Sequence, residues 1–354
     1  MKAVNSSQAP PPRRSTYIVG PWYDWAFFLL PPVAALALGI AVSDSRAANE
    51  PFFWSDQRVT PLGLALGVLI QAHLVIVLLR SHGNRTVLGQ HPYRFTLIPG
   101  LVLMGMLVSP VVAIACSVLA TFWDVYHSGA QTFGFGRIYD AKRGNDPHEG
   151  RWLDFGLNQL LYAGPIVAGA TMMDHFEDFM EFESVGVALF TRVPAVMTGH
   201  QATLTQLVLG LGMVFVAYYV WASWSMARRG RAVSWQKVYL LASTGVVSIY
   251  TWGFNTWGEA FLIMNVFHAV QYFGIVWASE RRNLQARLRL DRVRGGRLLT
   301  WWIFVGLAVA YGLAVEAWGD GRSMTWWSLT IVVSLMHFWY DGFIWSVRRA
   351  QGGR

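Results

Sequence analysis

Hydrophobic residues along this chain are gathered into ten blocks, and most of the polar residues lie between the blocks. A helix needs about twenty apolar residues to cross the hydrocarbon core of a bilayer, and the blocks approach that length. The pattern therefore predicts an all-α, polytopic transmembrane bundle of about ten helices. The blocks cover residues 23–42, 61–80, 95–109, 111–137, 152–173, 205–227, 236–256, 259–280, 299–318 and 324–347.

The positions of the basic residues give an independent indication of topology, because cytoplasmic loops of membrane proteins are enriched in Lys and Arg. If the N-terminus is inside, ten helices place 24 of the 28 Lys and Arg residues in cytoplasmic segments. Five acidic residues between 174 and 183 then fall on the opposite side. A miscounted helix would invert every later loop, so we expect both termini in the cytoplasm.

Composition agrees with a membrane protein, since 54% of the 354 residues are hydrophobic and 14% are charged. We predict a cytoplasmic tail at 1–22, one transmembrane domain at 23–347 and a second tail at 348–354. The outer loop 174–204 is predicted to be an interfacial segment. The net charge of +8 is attributed to topology and to anionic lipid, and no nucleic-acid partner is expected.

Four of the nine histidines lie inside apolar blocks: His73, His127, His268 and His337. Each lies on a block predicted to run from outside to inside, between 7 and 13 residues before the first arginine at its cytoplasmic end. At a rise of about 1.5 Å per residue, the four rings are expected roughly 10 to 20 Å above those ends. The sequence therefore predicts that they share one layer of the membrane.

Polar residues accompany these histidines at helical spacing. Buried ionisable groups are costly in a membrane and usually face the bundle interior. We predict a metal site with ligands from four helices and nearby polar residues that orient them or assist catalysis. The predicted ligands are His73, His127, His268, His337 and Asp341. The predicted catalytic or orienting residues are Asp124, Gln131, Gln271 and Tyr272.

Other interpretations of single residues stay open. A membrane histidine is often only a hydrogen-bonding group between helices. His73 has apolar neighbours, so His82 could complete the site in its place. Asp124 and Asp341 could instead pair with arginines near the cytoplasmic surface.

An imidazole-rich site without thiolate suits iron, copper or zinc. We expect iron, mononuclear or dinuclear, with O₂ and a lipid-soluble molecule as reactants. Two other functions use the same residues. The histidines could be axial ligands of haem in a membrane cytochrome, or they could form the proton relay of a transporter. Oligomeric state is left open.

The stretches "YHSGAQTFGFG", "FHAVQYFGIVW" and "MHFWYDGFIW" resemble the histidine motifs of the bacterial Brp/Blh membrane carotene dioxygenases. The resemblance implies iron held by His127, His268 and His337, with Asp341 as the carboxylate after the last histidine. It also implies oxidative cleavage of a carotenoid or other isoprenoid in a bacterial inner membrane. The chain departs from the family at Tyr272, where the family has a second histidine, which favours a relative in architecture over an orthologue.

Overall fold

A computed structural model of the chain describes residues 15–318 and 323–345. The predicted tail 348–354 and most of the tail 1–22 lie outside these residues. The expected all-α class is confirmed, apart from one short hairpin of β1 and β2. The helices are α1 Pro21–Asp24, α2 Pro31–Val42, α3 Arg46–Asn49, α4 Pro61–Val75, α5 Val77–Ser81, α6 Arg85–Gln90, α7 Pro92–Val108, α8 Pro110–Lys142, α9 Arg151–Ala168, α10 Met172–Glu177, α11 Ala188–Arg228, α12 Trp235–Phe254, α13 Trp257–Arg287, α14 Gly296–Trp318 and α15 Met324–Ile344. A π-helical turn covers Trp25–Leu29, a 3₁₀ segment covers Asp178–Val185, and the strands are β1 Phe52–Trp54 and β2 Gln57–Val59.

Within the described residues each of the ten apolar blocks is mainly helical, although the block 23–42 spans the end of α1, the π-helical turn and α2, and the block 61–80 spans α4 and α5. Within the described residues, five helices are long and apolar enough to cross a membrane, namely Pro61–Ser81, α8, α11, α13 and α14. The pair Pro21–Leu29 and α2, bent by 49°, would make a sixth. The helices at 95–109, 152–173, 236–256 and 324–347 are not among these, so the count of ten crossings stays a prediction.

Helix starts follow from local sequence. Ser109 caps α8 by accepting a hydrogen bond from the Val112 amide at 3.4 Å, and Pro110 occupies the first turn, where its missing N–H costs nothing. Thr256 and Glu259 form a capping box that begins α13. Both helices can therefore begin within one or two residues of the preceding helix.

The helix α13 lies at the centre of the bundle, since 72% of the residues in its most apolar 18-residue stretch are buried. In the most apolar 18-residue stretch of α11, only 11% of the residues are buried. An apolar helix that is exposed on most sides within a folded chain is suited to contact with lipid. The bundle therefore has a protein-enclosed core near α13 and an apolar outer surface on α11.

The segment predicted as an outer interfacial loop, 174–204, is helical in the structure. It contains the end of α10, the 3₁₀ segment Asp178–Val185 and the first turns of α11. The helix predicted to begin at residue 205 begins at Ala188 and runs for 41 residues. At about 1.5 Å per residue it is roughly 60 Å long, so it extends well beyond the thickness of a bilayer core.

Candidate metal centre

Four helices bring four histidine rings into contact in the buried interior. His73 lies on α4, His127 on α8, His268 on α13 and His337 on α15, and each is at most 4% exposed. Neighbouring ring centroids are 5.1 Å apart for His73 and His268, 5.1 Å for His268 and His127, 4.8 Å for His127 and His337, and 5.1 Å for His337 and His73. Each ring thus contacts two of the other rings, and we call these four residues the histidine cluster.

The ring nitrogens within the cluster are close enough to share an ion. His73, His268 and His337 offer donor atoms that all lie within 4.8 Å of one another, and so do His127, His337 and Asp341. The Nε2 atoms of His127 and His337 are 3.1 Å apart. Two nitrogens at about 2.1 Å from one ion and at right angles to each other are separated by about 3.0 Å. This pair therefore has the spacing of adjacent ligands.

The ring of His337 is fixed by the backbone. Its Nδ1 donates a hydrogen bond to the carbonyl of Leu74 at 3.1 Å, because a carbonyl can only accept. The neutral ring then carries its lone pair on Nε2, the atom that faces His127. Histidines that bind metal usually donate their other N–H to a carbonyl or carboxylate in this way.

His73 and His268 have no hydrogen-bond partner at either ring nitrogen within the described residues. A buried polar group without a partner costs about 1–3 kcal/mol, so four such nitrogens in one place require a physical explanation. An ion bound between the rings would satisfy the lone pair of each. The chemistry of the donor set therefore fits a transition metal held by imidazoles.

Asp341 lies beside the cluster, one turn after His337. Its Oδ1 accepts hydrogen bonds from the Tyr272 hydroxyl at 2.8 Å and from the indole N–H of Trp345 at 2.9 Å. Its Oδ2 is 3.8 Å from Nε2 of His127 and 3.9 Å from Nε2 of His337. One oxygen is therefore held by two donors while the other faces the histidines. The alternative that Asp341 pairs with an arginine finds no hydrogen bond or ion pair to support it among the described residues.

Gln131 and Gln271 tie the helices of the cluster together. The Gln131 amide donates to the carbonyl of His268 at 3.1 Å and to the side-chain oxygen of Gln271 at 3.1 Å. Gln271 in turn donates to the carbonyl of Phe28 at 2.8 Å. These contacts fix α8 against the backbone of α13 at the level of His268. They position a histidine-bearing helix and do not reach an imidazole ring.

Asp124 is placed differently from the other predicted site residues. It belongs to neither group of candidate metal donors, and it lines a cavity of about 270 Å³ together with His73, Ser128 and Asn265. The Asn265 amide donates to the carbonyl of Phe261 at 3.0 Å. Asp124 therefore shares a cavity with the cluster without joining its donor set.

The structure distinguishes His73 from His82. The Nε2 atom of His82 donates to the carbonyl of Phe95 at 2.9 Å, and its Nδ1 lies 2.9 Å from the Ser81 hydroxyl. Both nitrogens are thus used by local hydrogen bonds. His73, despite its apolar neighbours in sequence, is the residue that contacts His268 and His337 in the histidine cluster.

A second cavity, of about 430 Å³, borders the site at His127 and Asp341. It is lined mainly by aromatic and apolar side chains, and it also reaches four of the predicted site residues. The aromatic residues include Trp123, Tyr126, Phe133, Phe155 and Phe338, and the site residues are His127, Gln131, Tyr272 and Asp341. We call this space the aromatic cavity and the smaller one the polar cavity.

Sequence reasoning missed a buried ion cluster at the end of α8. Asp140 accepts from Arg137 at 2.9 Å, from Arg231 at 2.6 Å and from Lys237 at 2.9 Å. Asp154 accepts from Arg137 at 2.5 Å and from Lys237 at 3.0 Å. The sequence pattern places Arg137 at the cytoplasmic end of a predicted helix. In the structure α8 continues to Lys142, and Arg137 is buried. The Arg137 and Asp140 spacing of three residues is the one sequence signal for this cluster.

Comparison with known proteins gives no family for this chain: no protein-family model, no curated protein and no solved structure matches it. The fold and the site by themselves define an all-α protein with several long apolar helices and a buried group of four histidines.

Proposed function

We propose that this chain is an integral membrane metalloenzyme that oxygenates or oxidatively cleaves a lipid-soluble molecule. The observation that carries the proposal is the histidine cluster, in which four buried rings from four helices are in contact. Two of these rings have no hydrogen-bond partner among the described residues. A purely structural role would leave their cost of burial without compensation.

The metal in this proposal is iron, and its candidate ligands are His73, His127, His268, His337 and Asp341, which form two groups of donors. Imidazoles without thiolates also accept copper or zinc, and the resemblance to the carotene dioxygenases favours iron among the three. Because the two groups of candidate donors share His337, we propose one ion rather than two. When bound, the iron would supply the capacity to bind and activate O₂.

The substrate in this proposal is an apolar molecule, such as an isoprenoid or carotenoid, that binds in the aromatic cavity. That cavity borders His127 and Asp341, and its aromatic side chains would contact a conjugated chain without needing hydrogen bonds. The Tyr272 hydroxyl holds Asp341, and Asp341 faces two of the histidines. These residues would orient the ligands while the surrounding helices exclude water.

We also propose ten membrane crossings with both termini in the cytoplasm of a bacterial inner membrane. The distribution of basic residues and the long apolar helices support this arrangement. A reporter in the connection between α13 and α14, residues 288–295, should be cytoplasmic, and one beside Asp178 should lie on the other side. A periplasmic reporter in that connection would refute the arrangement.

Elemental analysis of the detergent-purified protein tests the metal. We expect about one iron per chain, and loss of that iron when His73, His127, His268 or His337 is replaced individually by Ala. His82→Ala is the control, since it removes an exposed histidine whose two ring nitrogens have local hydrogen bonds, and this variant should retain the metal. Full retention in all four cluster variants would end the metalloenzyme proposal.

Two other experimental outcomes would replace the metalloenzyme proposal with a different function. A Soret band would indicate haem, which the contact between His127 and His337 argues against because a porphyrin lies between its axial ligands. Solute movement by metal-free protein in liposomes would indicate a transporter. For the enzyme, oxygen consumption with isoprenoid hydrocarbons in micelles, followed by identification of the products, tests the reaction itself.

A further inference from the structure

We propose that the polar cavity is the route by which the metal ion reaches the histidine cluster, with Asp174, His175 and Asp178 as the group that captures it. This inference rests on the proposed function, because it assumes that the cluster binds a divalent cation. The capture group and the cluster histidine His73 line the same cavity. The residues that carry the argument are Asp174, His175, Asp178, Asp124, Asn265 and His73.

The polar cavity contains several groups that can bind a cation. Carboxylates, amides and imidazoles are among its lining residues, and oxygen and nitrogen atoms of these kinds replace the water around a divalent ion. His73 also lines this cavity; it is 1% exposed and has no partner at either nitrogen within the described chain. An ion that follows this cavity therefore reaches an unpaired ligand of the cluster.

His175 is held in a form that can bind a cation. Its Nδ1 donates to the carbonyl of Thr171 at 2.8 Å, which leaves the lone pair of the neutral ring on Nε2. The ring packs edge-on against Trp257, with centroids 4.5 Å apart, so its orientation is fixed. Burial lowers the pKa of His175, although Asp174 and Asp178 act in the opposite direction, and the ring is therefore neutral at physiological pH.

The two cavities differ in charge. Asp124, Asp174 and Asp178 line the polar cavity, and no Lys or Arg among the described residues does so, whereas Arg137, Arg151 and Asp341 all line the aromatic cavity. A cleft lined by charges of one sign raises the local concentration of ions of opposite sign. The polar cavity would therefore attract a divalent cation more strongly than the aromatic cavity, whose charged residues are of both signs.

This route also gives Asp124 a function. It lies one helical turn before His127 but outside both groups of candidate donors. A carboxylate in that place can bind a cation transiently between His175 and the cluster. We therefore expect Asp124 to affect the rate of metal loading rather than the final metal content.

The test is the rate at which metal-free protein in lipid nanodiscs takes up cobalt(II), followed by its visible absorption in a stopped-flow instrument. The double variant with Asp174→Asn and Asp178→Asn should load about tenfold more slowly and lose most of its dependence on salt. Its final cobalt content should equal that of the wild type. Glu183→Gln is the matched control, because Glu183 is exposed on the same outer segment and does not line the cavity.

Asp124→Asn gives a second measurement within the cavity and should also slow loading at unchanged final content. An unchanged loading rate in both the double variant and Asp124→Asn would overturn the route. Loss of cobalt at equilibrium in the double variant would overturn it as well, because the outer residues would then belong to a permanent site. Failure of the wild type to bind any metal would instead refute the proposed function.

Discussion

Replacement of Asp154 by Asn should destabilise the protein severely while leaving its shape almost unchanged. Asp154 is 3% exposed and accepts hydrogen bonds from Arg137, Lys237 and the hydroxyl of Tyr219. The amide of Asn can accept at one oxygen, but it carries no charge. Arg137, Lys237 and Arg231 would then share the carboxylate of Asp140, with only a more distant contact of 3.9 Å from Arg231 to the partly exposed Glu149.

The size of the effect follows from burial. Removing one partner of a buried ion pair costs about 3–5 kcal/mol, since the remaining charge stays desolvated and uncompensated. The matched control is Glu50→Gln, which breaks an i,i+4 pair with Arg46 whose side chains are 89% and 68% exposed. A pair of that kind contributes about 0.3–0.5 kcal/mol. The two variants remove the same charge and should differ about tenfold in cost.

The measurement is the free energy of unfolding of each purified variant in mixed micelles, followed by tryptophan fluorescence during a titration with denaturing detergent. We expect a loss of about 3–5 kcal/mol for Asp154→Asn, a large part of the total stability of a typical protein. A loss no greater than that of Glu50→Gln would refute the reasoning. It would mean that water or relaxation screens the ion cluster as effectively as it screens a surface pair.

Two further predictions concern the site and its surroundings. Tyr272→Phe removes one of the two hydrogen bonds that hold Asp341 and should weaken metal affinity by about 10 to 100-fold, measured by titration of metal-free protein; an unchanged affinity would show that Asp341 does not orient the ligands. Burial lowers the pKa of His175 in the folded protein, so as the pH falls below about 6.5 this histidine is protonated in the unfolded chain before it is protonated in the folded one. The contribution of His175 to the free energy of unfolding is therefore fully present above about pH 6.5 and declines below that pH. His175→Gln should reduce this decline in unfolding experiments between pH 7 and pH 5, and an identical decline in the variant would contradict the assignment.

The sequence by itself determined that the apolar blocks are mainly helical. Apolar blocks and short caps such as Ser109 with Pro110 are local features, and a helix satisfies its own backbone hydrogen bonds within one segment. The described residues of the ten blocks are therefore mainly helical, whereas the helix α6 and most of the helical structure in the 174–204 segment lie outside the blocks. The same local pattern does not fix where a helix ends in space, so α11 begins at Ala188 rather than at residue 205.

The sequence also indicated that four histidines lie at a common depth, because depth along a helix follows from counting residues. Counting gives no information about the rotation of a helix or its neighbours. Only the tertiary structure brought His73 rather than His82 into the cluster, and only it separated Asp124 from the donor atoms. Rotation is decided by packing against the other helices.

The ion cluster likewise separates what the sequence determines from what the tertiary structure decides. Its members are Asp140, Asp154, Arg137, Arg231 and Lys237. In the sequence these residues are 3 to 100 positions apart and look like the charged ends of separate helices. In the structure α8, α9 and α12 meet there, so the two carboxylates and three cations are buried together and paired. The sequence determines which residues carry a charge. Whether those charges are desolvated and paired depends on which helix surfaces are in contact, and only the tertiary structure decides these contacts.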